Sequence, residues 1–205
     1  MKRIIDFLIS ALLLILLLPL FLMVSVGIYL SMGSPILFRQ NRIGKNERVI
    51  KLYKFRTMTN ETDSLGNLLP NSKRVTRFGS FLRKSSLDEL PSLLNVIKGE
   101  LSLIGPRPLL ERYLPLYKNK HRIRHDVRPG ITGLAQVNGR NLTTWEDRLN
   151  FDVLYVNNQN LLLDLKIAFL TIYKVIKRDG VEGNEDLSIV ALDKDKSYFK
   201  ENEND

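Results

Sequence analysis

The chain has no cysteine and only two histidines, His121 and His125, among its 205 residues. The first absence excludes disulfides, a thiolate nucleophile and any cysteine-ligated zinc or iron–sulfur centre. The second excludes a multi-histidine metal cage, so a metal here would rely on oxygen ligands, the donor set of magnesium and similar hard cations. Acids are also short: 22 against 31 lysines and arginines, a formal net charge of +9. From Glu182 to Asp205 eight acids face three lysines, net −5, so residues 1–181 carry +14. A body this basic suits an anionic partner: nucleotide phosphate, anionic lipid or nucleic acid. The segment 182–205 reads as a poorly ordered acidic tail.

Charge is missing altogether from Phe7 to Phe38, where "FLISALLLILLLPLFLMVSVGIYLSMG" is almost wholly apolar. About 20 apolar residues suffice to span a bilayer, and the run is too long for a signal peptide. Two features oppose a simple span. Pro19, near the middle, removes a backbone hydrogen bond and favours a kink. Both flanks are basic, with Lys2 and Arg3 before the run and Arg39, Arg42, Lys45, Arg48, Lys51, Lys54 and Arg56 after it. Basic flanks prefer the cytoplasmic side, and a helix–break–helix entering and leaving by one face satisfies both. Read from the residues alone, the spanning and re-entrant forms both stay open.

Beyond the run, "ILFRQNR" and "RVIKLYKF" flank "IGKNE", the pattern of a β-hairpin, with period two placing Lys54 and Arg56 on one face with Ile50 and Leu52. Such cations could line a phosphate site or simply form an exposed basic edge. In "RVTRFGSFLRK", Phe78, Phe81 and Leu82 alternate with Arg77, Arg83 and Lys84, which fits an amphipathic helix on a membrane surface or against a core. Next comes "SSLDELPSLLNVIKG", where Asp88 and Glu89 stand together. Ser86-x-x-Glu89 matches a capping box, while Pro91 allows the helix to begin as late as its own position. Either start places the two acids at or just before a helix N-terminus, where the partial positive charge keeps carboxylates ionised.

"IGPRP" mounts Arg107 between two prolines, a rigid seat for a phosphate-binding guanidinium. "RHDVRPGITGLAQVNGRN" sets Arg128 and Arg140 among Gly130, Gly133 and Gly139, a loop able to bring N–H groups close to phosphate although it is no Walker motif. His125 reads as a structural hydrogen-bonder and Trp145 as core or interface. "NLLLDLKIAFLTIYKVIKRDG" reads as an amphipathic helix with Asp164 near its start and Gly180 after its end.

Taken together, "YKFRTM", "SLDELPSLLNVIKGELSLIGPRPLL", "RHDVRPGITGLAQVNGRN" and "LDLKIAFLTIYKVIKR" resemble the bacterial sugar transferase family, the small monotopic phosphoglycosyl transferases, over about Asp6 to Val181. The resemblance implies transfer of a phosphosugar from a UDP-sugar, often N-acetylated and bacillosamine-type, to undecaprenyl phosphate, with release of UMP. It implies Asp88 as nucleophile through a covalent aspartyl phosphosugar and Glu89 as a magnesium-associated acid. Lys54, Arg56, Arg83, Arg107, Arg128, Arg140 and Asp164 become substrate-binding candidates. It also implies a re-entrant membrane helix broken at a Ser-Pro pair, where this chain has Leu18-Pro19.

The architecture then expected is α+β and mainly helical. Residues 1–35 form a re-entrant membrane segment broken at Pro19, residues 36–181 a catalytic domain with a small β-hairpin and interfacial amphipathic helices, and residues 182–205 the tail. The expected location is the cytoplasmic face of a bacterial inner membrane, at the first membrane step of glycoconjugate synthesis. The partners are a UDP-sugar, undecaprenyl phosphate and membrane lipid. The rival readings, a non-catalytic basic module on anionic lipid and a tethered nucleic-acid binder, explain the charge and the apolar run. They leave the adjacent acids unexplained, and no nucleic-acid motif is present.

Overall fold

A computed structural model describes residues 1–138, 144–177, 191–195 and 198–199. Helix α1, Lys2–Leu16, is followed by α2, Leu18–Met32, with one residue between them and a bend of 63°. The break falls at Leu17 (φ −90°, ψ 4°), just ahead of Pro19 at the start of α2. Pro19 has no N–H to offer the preceding turn, and its ring crowds the carbonyl four residues back. Leu17 and Phe21 still make their own helical bonds, to Leu13 and Leu17 at 2.9 Å each. No single helix among the described residues is long and apolar enough to cross a membrane, although the bent pair together has the length and composition.

The hairpin forms as the alternation predicts. Strands β1, Leu37–Ile43, and β2, Val49–Phe55, pair antiparallel with Leu37 opposite Phe55 and Ile43 opposite Val49. The open edge of β2 is closed by side chains. Tyr53 N–H donates to Asn95 Oδ1 at 3.0 Å, Asn95 Nδ2 to the Lys51 carbonyl at 2.7 Å, and Ser92 Oγ to the Tyr53 carbonyl at 2.9 Å. After the short α3, Asn71–Arg74, helix α4 runs Arg77–Lys84 with Thr76 Oγ1 accepting from Gly79 N–H as its cap. Gly79 is required there: a Cβ would stand 2.0 Å from the Thr57 carbonyl oxygen. The 3₁₀ turn Leu87–Ser92 then leads into α5, Leu93–Lys98, which carries Asn95.

Strands β3, Ser102–Ile104, and β4, Gly130–Thr132, form a parallel pair that the sequence patterning does not announce. Between them lie a 3₁₀ turn, Glu111–Leu116, the short α6, Asn119–Arg122, and another 3₁₀ turn, Ile123–His125. This pairing corrects the reading of the glycine loop. A Cβ on Gly130 would lie 2.1 Å from Gly105 N, and one on Gly133 2.1 Å from Gly105 O. Gly130 N–H already donates to the Pro106 carbonyl. Gly130 and Gly133 thus serve close backbone packing rather than a phosphate cradle.

Helix α7, Leu134–Asn138, precedes α8, Trp145–Asn157, and α9, Leu161–Lys177. A complete capping box does exist in this protein, at Thr144 and Asp147, where α8 begins. Trp145 lies in an aromatic core with Tyr113, Tyr117 and Leu149, as expected of a core tryptophan. Leu192 and Tyr198 of the acidic tail complete that core, 0 and 2% exposed, so this part of the tail is packed and not the solvated segment its composition suggested. Most of the remaining tail, like Arg140 and Gly139, lies outside the described residues.

The polar start of α1 is sewn to the body. Arg3 donates to the Val96 and Ile97 carbonyls at the end of α5, Ser102 Oγ donates to Asp6 Oδ2 at 2.7 Å, and Lys2 Nζ pairs with Asp164 on α9. Residues 1–35 are therefore packed into the rest of the fold along one edge and are no detached segment.

Candidate active site

Asp88 and Glu89 occupy the first turn of the 3₁₀ segment after α4. The capping box expected at Ser86 and Glu89 does not form. Ser86 takes a left-handed conformation (φ 57°) with no side-chain cap, and Glu89 is drawn elsewhere. Its Oε1 accepts from Lys54 Nζ at 2.8 Å and from Arg107 Nη2 at 2.9 Å. Among the described residues the ion pairs of the cluster fall on Glu89, and Asp88 has none.

The two acids are consequently unequal. Burial first, and then the negative charge of Glu89, push the Asp88 carboxyl up to about 6 against the opposing pull of Lys54, Arg107 and Arg83. Burial works against ionising Glu89 as well, but Arg107 and Lys54 outweigh it and hold that carboxyl well below the usual range. Glu89 is a fixed anion; Asp88 changes charge just below neutrality.

Lys54, Arg56, Arg83, Asp88, Glu89, Arg107 and Asp164 line one cavity of about 1590 Å³. Arg83 is steered by its Nε–H bond to Thr57 Oγ1 at 2.9 Å. Arg56 is 7% exposed and spends Nε on the Met58 carbonyl at 2.8 Å and Nη1 on Pro35 at 3.4 Å, so it is largely committed to the backbone. Asp164 is buried and tied to Lys2 and to the Tyr155 hydroxyl at 2.8 Å, a separate polar knot on the same wall. Arg128 is not brought to the cavity lining: its Nε–H closes the C-terminal end of α5 at the Gly99 carbonyl, 2.9 Å away. His125 is 3% exposed, with its imidazole pushed down to about 3 by burial and then by Arg124, which keeps it neutral and structural.

The cavity has two characters. Its charged floor is continuous with apolar walls from α1 (Ile5, Ile9, Leu13) and α9 (Leu161, Leu165, Ile172). Exposed neighbours extend this apolar surface, with Leu162 79% and Phe169 70% exposed. In α4, Leu82 is fully buried and Phe78 packs with it against α2, while Phe81 remains 54% exposed. Helix α4 thus meets a protein core on one side and presents an aromatic ring on the other.

Sequence reasoning missed Asp6, Arg3, Asn95, Thr57 and Arg124, all of which hold the site's frame. Lys2 and Asp6, four residues apart on one helix face just before the apolar run, were a legible signal. Asn95 inside "LLNVIK" was another, since a polar residue on an apolar face needs a partner.

A family model described as bacterial sugar transferase matches residues 1–178. An uncharacterised sugar transferase of Bacillus subtilis, EpsL, is 56% identical over 153 residues, covering 75% of this chain and 76% of the relative. An exopolysaccharide production protein of Sinorhizobium fredii, ExoY, is 44% identical over 196 residues, 87% of each chain. A UDP-glucose:undecaprenyl-phosphate glucose-1-phosphate transferase of Klebsiella pneumoniae is 42% identical over 184 residues, 84% of this chain but 39% of that longer relative. The motifs around Asp88, Arg107 and Gly130 fall inside a match of this extent, and the chain belongs to the bacterial sugar transferase family.

Proposed function

We propose that this protein transfers a phosphosugar from a UDP-sugar to undecaprenyl phosphate at a membrane surface, using Asp88 as nucleophile. The observation that carries the reading is the division of labour between the two acids: Glu89 pairs with Lys54 and Arg107, while among the described residues Asp88, lining the same cavity, makes no ion pair. An Asp88 oxygen attacks the sugar-bearing phosphorus, the bond from that phosphorus to the bridging oxygen breaks, and UMP leaves with the electron pair. The resulting acyl phosphate holds the phosphosugar until a phosphate oxygen of the lipid attacks the same phosphorus and returns Asp88 as carboxylate. Lys54, Arg83 and Arg107 offset charge on the diphosphate, where positioning and electrostatics supply most of the catalysis. Relatives named for transfer of glucose-1-phosphate to undecaprenyl phosphate and for UDP-galactose support the general reaction.

Magnesium fits the donor set in one form only. Among the described residues no group of three or more His, Asp or Glu could cage a metal. Asp88 and the second oxygen of Glu89 are the carboxylate donors at hand. Magnesium is commonly held by one or two carboxylates together with substrate phosphates, so here it would arrive with the diphosphate and neutralise charge on it.

The same reading makes α1 and α2 a re-entrant hairpin. Lys2, Arg3 and Asp6 bond to the body that the chain re-enters at Leu37, so both ends of the apolar run lie against the same domain. Fifteen residues rise only about 22 Å per arm, short of ~30 Å of hydrocarbon. The apolar walls of α1 and α9 suit a polyprenyl chain whose phosphate reaches the charged floor. The basic flanks of the apolar run, which prefer the cytoplasmic side, support a catalytic body on the cytoplasmic face of a bacterial inner membrane.

The test is UMP release over a panel of UDP-sugars with undecaprenyl phosphate. The panel holds N-acetylated, bacillosamine-type sugars from the family resemblance and glucose and galactose from the relatives' names. UMP with at least one sugar is expected. No UMP with any of them, or near-normal release by folded Asp88→Asn protein, would overturn the proposal.

A further inference from the structure

Arg124 lies outside the cavity, 3% exposed, in the 3₁₀ turn Ile123–His125. Its Nε and Nη2 both donate to Oδ2 of Asp152 on α8, at 2.9 and 2.8 Å, and Asp152 is itself 4% exposed. The same Nη2 donates to the backbone carbonyl of Arg107 at 2.6 Å. Pro106 and Pro108 fix the backbone on either side of that carbonyl, and the Arg107 side chain reaches Glu89. A buried ion pair is a weak contributor to stability, because desolvation cancels most of the attraction. The third bond gives this pair a use beyond stability.

We infer that Arg124 and Asp152 are positioning residues for the reaction: Asp152 orients Arg124, and Arg124 grips the Arg107 carbonyl so that the Arg107 guanidinium meets the diphosphate in a fixed place. The inference rests on the proposed use of a diphosphate substrate. Two substitutions separate positioning from folding. Arg124→Lys keeps a charge for Asp152, but a single ammonium on a flexible stem cannot reproduce the fork that holds both partners. Arg124→Met combined with Asp152→Leu removes the grip and leaves no buried charge.

Each is made in the full chain and again in an Arg107→Ala background, with inorganic pyrophosphate binding read by calorimetry and folding by thermal melting. With Arg107 present, pyrophosphate affinity should fall roughly tenfold in both, the loss expected of one misplaced charged hydrogen bond. With Arg107 absent, neither should weaken binding further, because a residue acting through another has nothing left to act on. Unchanged affinity in a folded variant, an equal further loss without Arg107, or no pyrophosphate binding by the unaltered chain overturns the inference. UMP release by the unaltered chain is measured beside it. A chain that shows the Arg107-dependent pattern yet releases no UMP keeps the positioning pair and sinks the reaction.

Discussion

Lys54 and Arg107 come from β2 and from the loop after β3, 53 positions apart in sequence, and meet on the same oxygen, Glu89 Oε1, at 2.8 and 2.9 Å. Glu89 thereby draws in two of the three cations whose charge also reaches Asp88. In the proposed reaction Glu89 organises the site and Asp88 is the reactive group.

The separation of roles is testable by mass. Incubated with a UDP-sugar it accepts and no lipid, the protein should gain the mass of one phosphosugar, and Asp88→Asn should gain none. The substitution keeps shape but removes the attacking charge. An adduct of equal yield on Asp88→Asn would assign the nucleophile elsewhere.

Asp88 should also cost stability at neutral pH. Its carboxyl is raised from 3.8 to about 6 in the fold, so the folded state favours the protonated form. The contribution of Asp88 to stability should be greatest below about pH 4, fall as pH climbs to about 6, and level off above. Asp88→Asn should therefore melt higher than the parent chain near pH 7.5, with the gap closing near pH 3.5. Equal melting temperatures at both values would show that Asp88 is not under the burial and charge pressure described.

The same titration predicts the acid limb of catalysis. UMP release without lipid acceptor should drop about tenfold per pH unit below roughly pH 6, because only ionised Asp88 attacks. Glu89→Gln removes the neighbouring anion and its ion pairs with Lys54 and Arg107, so its limb should move to lower pH even though its maximum rate falls. A limb left in place in Glu89→Gln would mean that the slope reports another group.

Two frame contacts should be expensive to break. Gly79→Ala drives a methyl into the carbonyl of Thr57, the residue whose hydroxyl accepts from Arg83 Nε–H, and should cost about 1–3 kcal/mol together with activity. Arg3→Ala removes the side-chain donor from the Ile97 carbonyl and leaves the Val96 carbonyl with Gly99 N–H, so it should cost about 1–3 kcal/mol. Chemical denaturation measures both, and a loss below half a kcal/mol in either would count against the tight docking of α4 or α1.

For the lipid step, Phe81→Ser and Leu165→Gln should slow transfer to undecaprenyl phosphate more than UMP release, because both residues face outward or line the apolar wall. Phe78→Ser tests a different thing. That ring packs on α2, so its loss should appear first as lowered stability. Comparing single-turnover UMP release with full turnover separates the two, and equal losses at both steps for Phe81→Ser would remove it from the lipid face.

The sequence by itself determined the elements whose information is local. The uncharged run with its proline, the alternation of the hairpin, the amphipathic α4 and α9 and the paired acids are patterns of neighbouring residues. Their periods match the structure at Leu37–Phe55, Arg77–Lys84 and Leu161–Lys177. Tertiary structure alone decided which cation serves which partner. Arg107 and Arg128 look alike in sequence, each beside a proline, yet one reaches Glu89 and the other caps Gly99. Gly130 and Gly133 resemble a phosphate loop until β3 and β4 pair and press them onto Gly105. The Ser86–Glu89 capping box was a sound local pattern that lost to a distant one. A helix cap contributes about 1 kcal/mol, whereas two converging cations in a half-buried cleft hold a carboxylate with more, and such convergence depends on strands and loops far apart in the chain.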